Sequence, residues 1–263
     1  MKYPFELTDI HNHLVPAVDD GAQSLDEALH HLVALRAEGV TRLSVSPHLF
    51  GWLTDEEGAL GKRLDLLERA FEALRATCAR RSDVPELYFG QEILCPSPEI
   101  AGQVFLDRRP GYRDTDYALV EFGFDLRGDP GIVVETVVDA GRRIIVSHPE
   151  RYRRDRLNVH IDELRGWKQA GALLQVNAGS LLGDYGSAIA NLAWAALEEG
   201  LADLIATDHH ADSRVVSLRA AAEEVARRGG DDVARLLASE NPTRVLRNQE
   251  VLPVPSLPAR QAT

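Results

Sequence analysis

Histidine, aspartate and glutamate recur along this chain at offsets that suit divalent-metal chemistry. His11-Asn12-His13 is followed by Asp19-Asp20-Gly21, then by Ser46-Pro47-His48, Glu92, Glu121 and His148, and last by Asp208-His209-His210. In extended chain, residues i and i+2 project to one side, so His11 and His13 can aim both imidazoles at one point while Asn12 turns away. The same geometry pairs Asp208 with His210 and sets His209 aside. Imidazoles and carboxylates without thiolates suit Zn, Mn or Fe with open coordination positions, unlike the closed, cysteine-rich sites of structural zinc. These candidates outnumber the ligands one ion can use, so two or three ions are expected. A multinuclear site of this kind clamps a phosphoryl or carbonyl oxygen and makes hydroxide available near neutral pH. Each fragment alone has an ordinary explanation as a core histidine, a helix cap or a salt-bridge partner. Their joint placement is what those explanations leave out.

Such residues act together only if a scaffold gathers them. Apolar runs at 5–10, 42–46, 86–91, 117–122, 143–147, 173–177 and 203–207 read as strands, most of them separated by segments of helical periodicity. The first helix opens on Ser24-Leu25-Asp26-Glu27, which has the form of a capping box, and Gly39 follows its last turn. A second carries Leu64, Leu67, Phe71, Leu74 and Cys78 on one stripe. A third opens at Asp129-Pro130 and closes at Gly141, and further helices are expected around 192–199, 215–228 and 232–238. Strands alternating with helices read as an α/β parallel sheet with right-handed crossovers, which either a closed barrel or an open doubly wound sheet satisfies. Both folds place their chemistry at the carboxyl ends of strands. Every expected strand but the sixth ends near His, Asp or Glu, and the sixth runs into Asn177-Ala178-Gly179-Ser180. No linker splits the chain, so a single domain over 1–250 is expected, with the Pro-rich residues 251–263 as an exposed, mobile tail.

Composition narrows the setting. Among 263 residues, 29 Lys and Arg stand against 41 Asp and Glu, a formal net charge of -12, which argues against nucleic acid or an anionic membrane as partner. The two cysteines, Cys78 and Cys95, lack metal-type spacing and suggest a reducing interior. With no N-terminal apolar segment of signal-peptide type and no bilayer-length apolar run, a cytoplasmic protein without membrane insertion is expected. His30, His31 and His160 read as surface or helix residues. Phe50 and Trp52, in the loop 50–61, suit either cover for the apolar rim or stacking on an aromatic substrate. Arg151, Arg153, Arg154 and Arg156 read as a positive rim after the fifth strand.

Taken together, His11-x-His13, Asp19-Asp20-Gly21, Ser46-Pro47-His48, Gly90-Gln91-Glu92-Ile93, Val120-Glu121-Phe122, His148-Pro149-Glu150-Arg151-Tyr152 and Asp208-x-His210 resemble the polymerase and histidinol phosphatase (PHP) superfamily. Within it they are most similar to the bacterial manganese-dependent protein-tyrosine phosphatases of capsule and exopolysaccharide synthesis. The likeness runs from about Thr8 to about Leu246 and includes Asn241-Pro242-x-x-Val245-Leu246. It implies a distorted (β/α)7 TIM-like barrel, the PHP fold, with three ions at its C-terminal face. One ion would take His11, His13, Glu92 and Asp208, and a second would share Glu92 and add Glu121 and His148. A third would use Asp20, His48 and His210, a choice of Asp20 over Asp19 that the residues alone leave open.

The resemblance further implies Mn2+, with Fe or Zn as alternatives, and phosphate contacts at Arg151 and Arg214, the latter one residue off the family's spacing from His210. The implied reaction is hydrolysis of a phosphomonoester by metal-bound hydroxide, with His210 or a bound water helping the leaving group. The implied substrate is a phosphotyrosine-containing protein, the C-terminal tail of a bacterial tyrosine kinase. Neither cysteine stands in the Cys-x5-Arg arrangement of a thiol-based phosphatase. A small-molecule phosphatase, such as one for histidinol phosphate, and a non-catalytic domain on the same scaffold are the competing expectations.

Overall fold

The structure, a computed structural model, describes residues 4–258. Its strands are β1 (Leu7–Asp9), β2 (Val40–Val45), β3 (His48–Phe50), β4 (Glu86–Phe89), β5 (Glu92–Leu94), β6 (Tyr117–Glu121), β7 (Arg143–Ser147), the short antiparallel pair β8 (Arg153–Arg154) and β9 (Leu157–Asn158), β10 (Leu173–Asn177) and β11 (Leu204–Ala206). The parallel strands form two hydrogen-bonded runs, β1-β2-β4 and β11-β10-β7-β6-β5-β3. These runs belong to one wall. Pro47, which has no N–H to give a ladder, separates β2 from β3, and Gly90-Gln91 separates β4 from β5. Pairing then resumes in the same register, Arg42 opposite Glu86 before the breaks and His48 opposite Glu92 after them. The circuit closes where the chain beyond β11 meets the chain beyond β1, through Asp208 N to His11 O at 2.7 Å and His13 N to His209 O at 2.8 Å. The staves are therefore β1, β2/β3, β4/β5, β6, β7, β10 and β11, each expected from the sequence. Of the two folds that order allows, the chain adopts the distorted (β/α)7 barrel.

Around the wall run α1 (Leu25–Glu38), α2 (Ala59–Cys78), α3 (Pro98–Val104), α4 (Pro130–Asp139), α5 (Ile161–Gln169), α6 (Ala178–Leu182), α7 (Ser187–Glu198), α8 (Leu218–Gly229), α9 (Asp231–Arg235) and α10 (Asn241–Leu246). Ser24 caps α1 by accepting from Glu27 N, and Gly39 ends it in the left-handed region at φ 106°. Glu27 bonds the amide of Gln23 at 2.7 Å, so the reciprocal half of the expected box is displaced by one residue. The stripe from Leu64 to Cys78 is buried as expected. α3, α5 and α6 have too few turns for periodicity to reveal them.

Apolar side chains fill two spaces, one between strands and helices and one inside the barrel. The inner group includes Ile10, Tyr112, Tyr117, Leu119, Ile145, Leu204, Ala206 and Val245. Alternation along β6 puts Tyr117, Leu119 and Glu121 on one face, so the strand that plugs the lower barrel ends by presenting a carboxylate above the plug. Packing and chemistry are thus stacked along the same staves.

The expected tail is fastened at Leu252 and Leu257, while Pro253, Pro255, Ser256 and Pro258 are exposed as expected. Asn241 accepts from Leu252 N at 2.8 Å and donates to the carbonyls of Asp203 and Leu252, while Leu257 N bonds Leu197 O at 3.2 Å. Leu257 is buried against Gly229, where a Cβ would lie 1.9 Å from its Cδ2. Burial of one leucine side chain stabilises by about 2 kcal/mol, which adds to these hydrogen bonds in offsetting the entropy of ordering the segment. The rest of the expected tail, 259–263, and residues 1–3 lie outside the described residues. Among the described residues no helix is long and apolar enough to cross a membrane.

Candidate metal centre

The carboxyl ends of the staves converge on one basin. His11 and His13 follow β1, His48 opens β3, Glu92 opens β5, Glu121 ends β6, His148 follows β7, and Asp208 and His210 follow β11. Glu92 is central. Its Oε1 lies 3.3 Å from His11 Nε2 and 3.0 Å from His148 Nε2, and its Oε2 lies 3.5 Å from His13 Nε2 and 3.2 Å from His48 Nδ1. Asp208 Oδ1 stands 3.5 Å from Nε2 of both His11 and His13 and 3.3 Å from His210 Nδ1. At the rim, Asp20 Oδ1 is 3.3 Å from Nε2 of both His48 and His210. Four overlapping groups result: His11, His13 and Asp208; His11, Glu92 and His148; His48, Glu92 and Glu121; His13, Asp20, His48 and His210. Every ligand expected from the sequence falls in at least one.

The donor set fits divalent cations. Imidazole nitrogens and carboxylate oxygens face one another across the basin, and the buried Nδ1 of His148 has no hydrogen-bond partner. Without cations, protons take their place. Burial opposes a charged His11, yet Glu92 and Asp208 raise its pKa to about 9, and against the same burial Asp20 and Glu92 hold His48 at about 11. Burial, reinforced by the charge of Glu92, pushes Glu121 up to about 8, while burial takes His148 down to about 4. Hydrogen bonds from His210 and His48 keep Asp20 well below the usual carboxylate range. Metal loading must displace protons from this set.

The ligands are aimed from behind. Gln175 Oε1 sits 2.7 Å from His11 Nδ1, and Asp19 Oδ2 sits 2.8 Å from His13 Nδ1, which leaves each Nε2 facing the basin. Asp19 also accepts from His48 N and Gly21 N at 3.0 and 3.1 Å. Gly21 is required there, because a Cβ would lie 1.8 Å from His13 O. Of the two adjacent aspartates, Asp19 therefore backs the histidines and Asp20 faces the basin. His148 and Asp208 hold left-handed backbone at φ 32° and 53°, strain of about 1–3 kcal/mol each that the surrounding bonds sustain.

The two expected arginines meet on one oxygen. Arg151 Nη1 lies 2.5 Å from Asp208 Oδ2, Arg214 Nη1 bonds the same atom, and Asn177 Nδ2 donates to it at 3.0 Å. Arg151 is flanked by the rings of Phe124 and Tyr185, neither of which the sequence reading singled out. The sequence signal was the sixth stave itself, whose Asn177-Ala178-Gly179-Ser180 ending departs from the others. Of the expected positive rim, Arg151 points inward, Arg153 pairs with Asp125 at 3.1 Å and Arg154 with Glu163 at 2.7 Å, while Arg156 is exposed as expected. On the opposite wall Phe50 stacks on His48 and Trp52 stacks on Phe50, with centroids 5.8 and 4.7 Å apart. His31 is a helix residue of α1, one of its two expected settings, and is buried there with bonds to both His209 and Asp212.

Residues 7–247 match the family described as capsular polysaccharide synthesis, CpsB/CapC. The tyrosine-protein phosphatase YwqE of Bacillus subtilis is 28% identical over 265 residues, which span 97% of this chain and 97% of the relative. The tyrosine-protein phosphatase CpsB of Streptococcus agalactiae is 25% identical over 252 residues, 93% of this chain and 100% of the relative. Among solved structures, one described as YwqE from Bacillus subtilis and CpsB from Streptococcus pneumoniae, metal-dependent tyrosine phosphatases, matches with a TM-score of 0.79 at 25% identity, over 97% of this chain and 100% of that one.

Proposed function

Because the chain belongs to the CpsB/CapC family of capsular polysaccharide synthesis, we propose that it is a metal-dependent phosphatase acting on phosphotyrosine in a protein. The observation that carries this reading is the Glu92-centred basin, which gathers every expected ligand side chain and has two arginines on the outer oxygen of Asp208. His11, His13, Glu92 and Asp208 would hold one ion, Glu92, Glu121 and His148 a second, and Asp20, His48 and His210 a third. When bound, the ions supply an activated water and neutralise phosphoryl charge. Imidazole and carboxylate donors without thiolate suit Mn2+, Fe and Zn alike, and it is the likeness to the manganese-dependent phosphatases that makes Mn2+ the ion we favour.

The chain's own side chains do the rest. Arg151 and Arg214 present guanidinium N–H groups at the Asp208 edge of the basin, where charge-assisted bonds would orient a phosphoryl group. Burial of Glu92, Asp208 and the histidines strengthens every such interaction. A tyrosine phenolate, whose conjugate acid has a pKa of about 10, leaves without a strong acid. With His210 holding the third ion and its Nδ1 3.0 Å from Asp208 O, the proton for the phenolate would come from water. The proposed substrate is the phosphorylated tail of a bacterial tyrosine kinase in the cytoplasm, and residues 1–250 act as the catalytic domain.

A substrate panel tests the reading. Purified protein with Mn2+ is expected to hydrolyse a phosphotyrosine peptide in preference to a phosphoserine peptide and to histidinol phosphate, and to lose turnover on chelation. Preferential turnover of histidinol phosphate would make it a small-molecule phosphatase. Absence of metal-dependent turnover on all three would make it a non-catalytic domain.

A further inference from the structure

We propose that Tyr185 is a positioning residue for Arg151 and acts through its ring, not its hydroxyl. The inference rests on the reading above, in which Arg151 contacts the substrate phosphoryl group. Arg151 Cζ lies 4.5 Å from the Tyr185 ring centroid and 4.8 Å from that of Phe124. A guanidinium is drawn to the face of a ring and stacks on it, which fixes the plane of its donor fork. That plane decides whether two parallel N–H groups can meet two phosphoryl oxygens. Phe124 is itself stacked on His148, with centroids 5.6 Å apart and planes at 16°, so one side of the guanidinium is referenced directly to the ligand set. Tyr185 supplies a second.

The Tyr185 ring is seated by the stave that lacks a ligand. A Cβ built on Gly179 would lie 3.0 Å from Cε2 and Oη of Tyr185 and from Asp184 Oδ2, close enough that the ring would have to shift by a few tenths of an ångström. Gly179 N bonds Asn177 Oδ1 at 3.2 Å, and Asn177 Nδ2 bonds Asp208 Oδ2, the oxygen that Arg151 also reaches. Asn177, Gly179, Tyr185 and Arg151 thus form one connected corner. Tyr185 Oη is buried and finds no hydrogen-bond partner among the described residues, so the contact with Arg151 runs through the ring and not through the hydroxyl.

The test compares Tyr185→Ala, Tyr185→Phe, Arg151→Ala and the Tyr185→Ala/Arg151→Ala double variant in the Mn2+-loaded protein. The readouts are KM and kcat on a phosphotyrosine peptide, the inhibition constant of inorganic phosphate, and bound metal. Arg151→Ala is expected to raise KM and the phosphate constant by about ten-fold or more. Tyr185→Ala should raise both by about ten-fold, with kcat and metal content close to the parent protein, and Tyr185→Phe should restore them. The double variant should be no worse than Arg151→Ala alone, because both changes remove one interaction. Additive losses, failure of Tyr185→Phe to restore KM, or an unchanged KM in Tyr185→Ala would each overturn the assignment. An Arg151→Ala variant with unchanged KM and phosphate constant would instead overturn the reading of Arg151, and this proposal with it. Should Tyr185→Ala fail to fold, Tyr185→Leu keeps the bulk without the aromatic face and serves in its place.

Discussion

The basin has a floor and a wall that are built on different terms. The floor, from His11 round to His148 and Asp208, is made of side chains that donate lone pairs and crowd charge around Glu92. The wall, past the ends of β6, β7 and β10 and at the α6–α7 turn, offers N–H donors and rings: Phe124, Arg151, Asn177 and Tyr185. Asp208 joins them, with Oδ1 toward the histidines and Oδ2 toward the arginines and Asn177. A site for an anion brought to cations needs both. In the unloaded floor protonated His11 and His48 stand against the charges of Glu92 and Asp208, so its excess of positive charge comes with loading, whereas the wall carries its own. Damage to the floor should therefore show as lost metal, and damage to the wall as weakened substrate binding.

The largest expected effect follows from Glu92, which every floor histidine except His210 approaches within 3.5 Å. Glu92→Ala should lower turnover by about a thousand-fold or more and reduce bound Mn2+, because a shared ligand is removed from two ions at once. Elemental analysis beside a turnover assay checks it. Retained metal with a raised KM would place Glu92 in the wall's class and break the division.

A smaller effect is expected one layer back. Asp19→Asn keeps the shape behind His13 but removes the charge that fixes its tautomer, and such outer partners commonly contribute 10–100-fold in metal affinity. Titration with Mn2+ should show an affinity weaker by about that factor, with kcat recovering at saturating metal. If kcat stayed low at saturation, Asp19 would be acting on the reaction and not merely on the ligand.

The same division explains what the sequence made legible. Metal ligation restricts residue type so tightly that His and carboxylate at successive strand ends mark the floor without any structure. The breaks at Pro47 and Gly90-Gln91 kept register, so the staves read as single strands and still delivered His48 and Glu92. The wall has no such vocabulary. Phe124 and Tyr185 are ordinary loop aromatics until the barrel brings Arg151 between them, and Gly179 looks like any small residue until a ring is packed on it. Asp19 could be found only as one of a pair, since the Asp-Asp-Gly spelling does not say which carboxylate turns inward. Leu257 was missed for a further reason: a Pro-rich segment announces the lack of regular structure, not the lack of a docking groove.

The smallest predicted effect tests whether residue type alone marks a floor. Glu27, His31 and Asp212 also bring imidazole and carboxylates within ligating reach of one another, behind the basin. Their hydrogen bonds assign the protons otherwise. Val216 N donates to His209 Nδ1 at 3.3 Å, so His209 carries its proton on Nε2 and donates to His31 Nδ1 at 3.0 Å. His31 must then carry its proton on Nε2, the nitrogen 2.9 Å from Asp212 Oδ1, and no lone pair is left there for a cation. The chain from Val216 to Asp212 is a structural latch between α1 and the segment that carries Asp208 and His210. His31→Leu should leave bound Mn2+ at the parent's count and turnover within a few-fold. It should lower stability by about 1–3 kcal/mol, because His209 loses its acceptor in a buried place. Thermal unfolding and elemental analysis on the same preparation decide it, since loss of one bound ion would show that this cluster belongs with the floor after all.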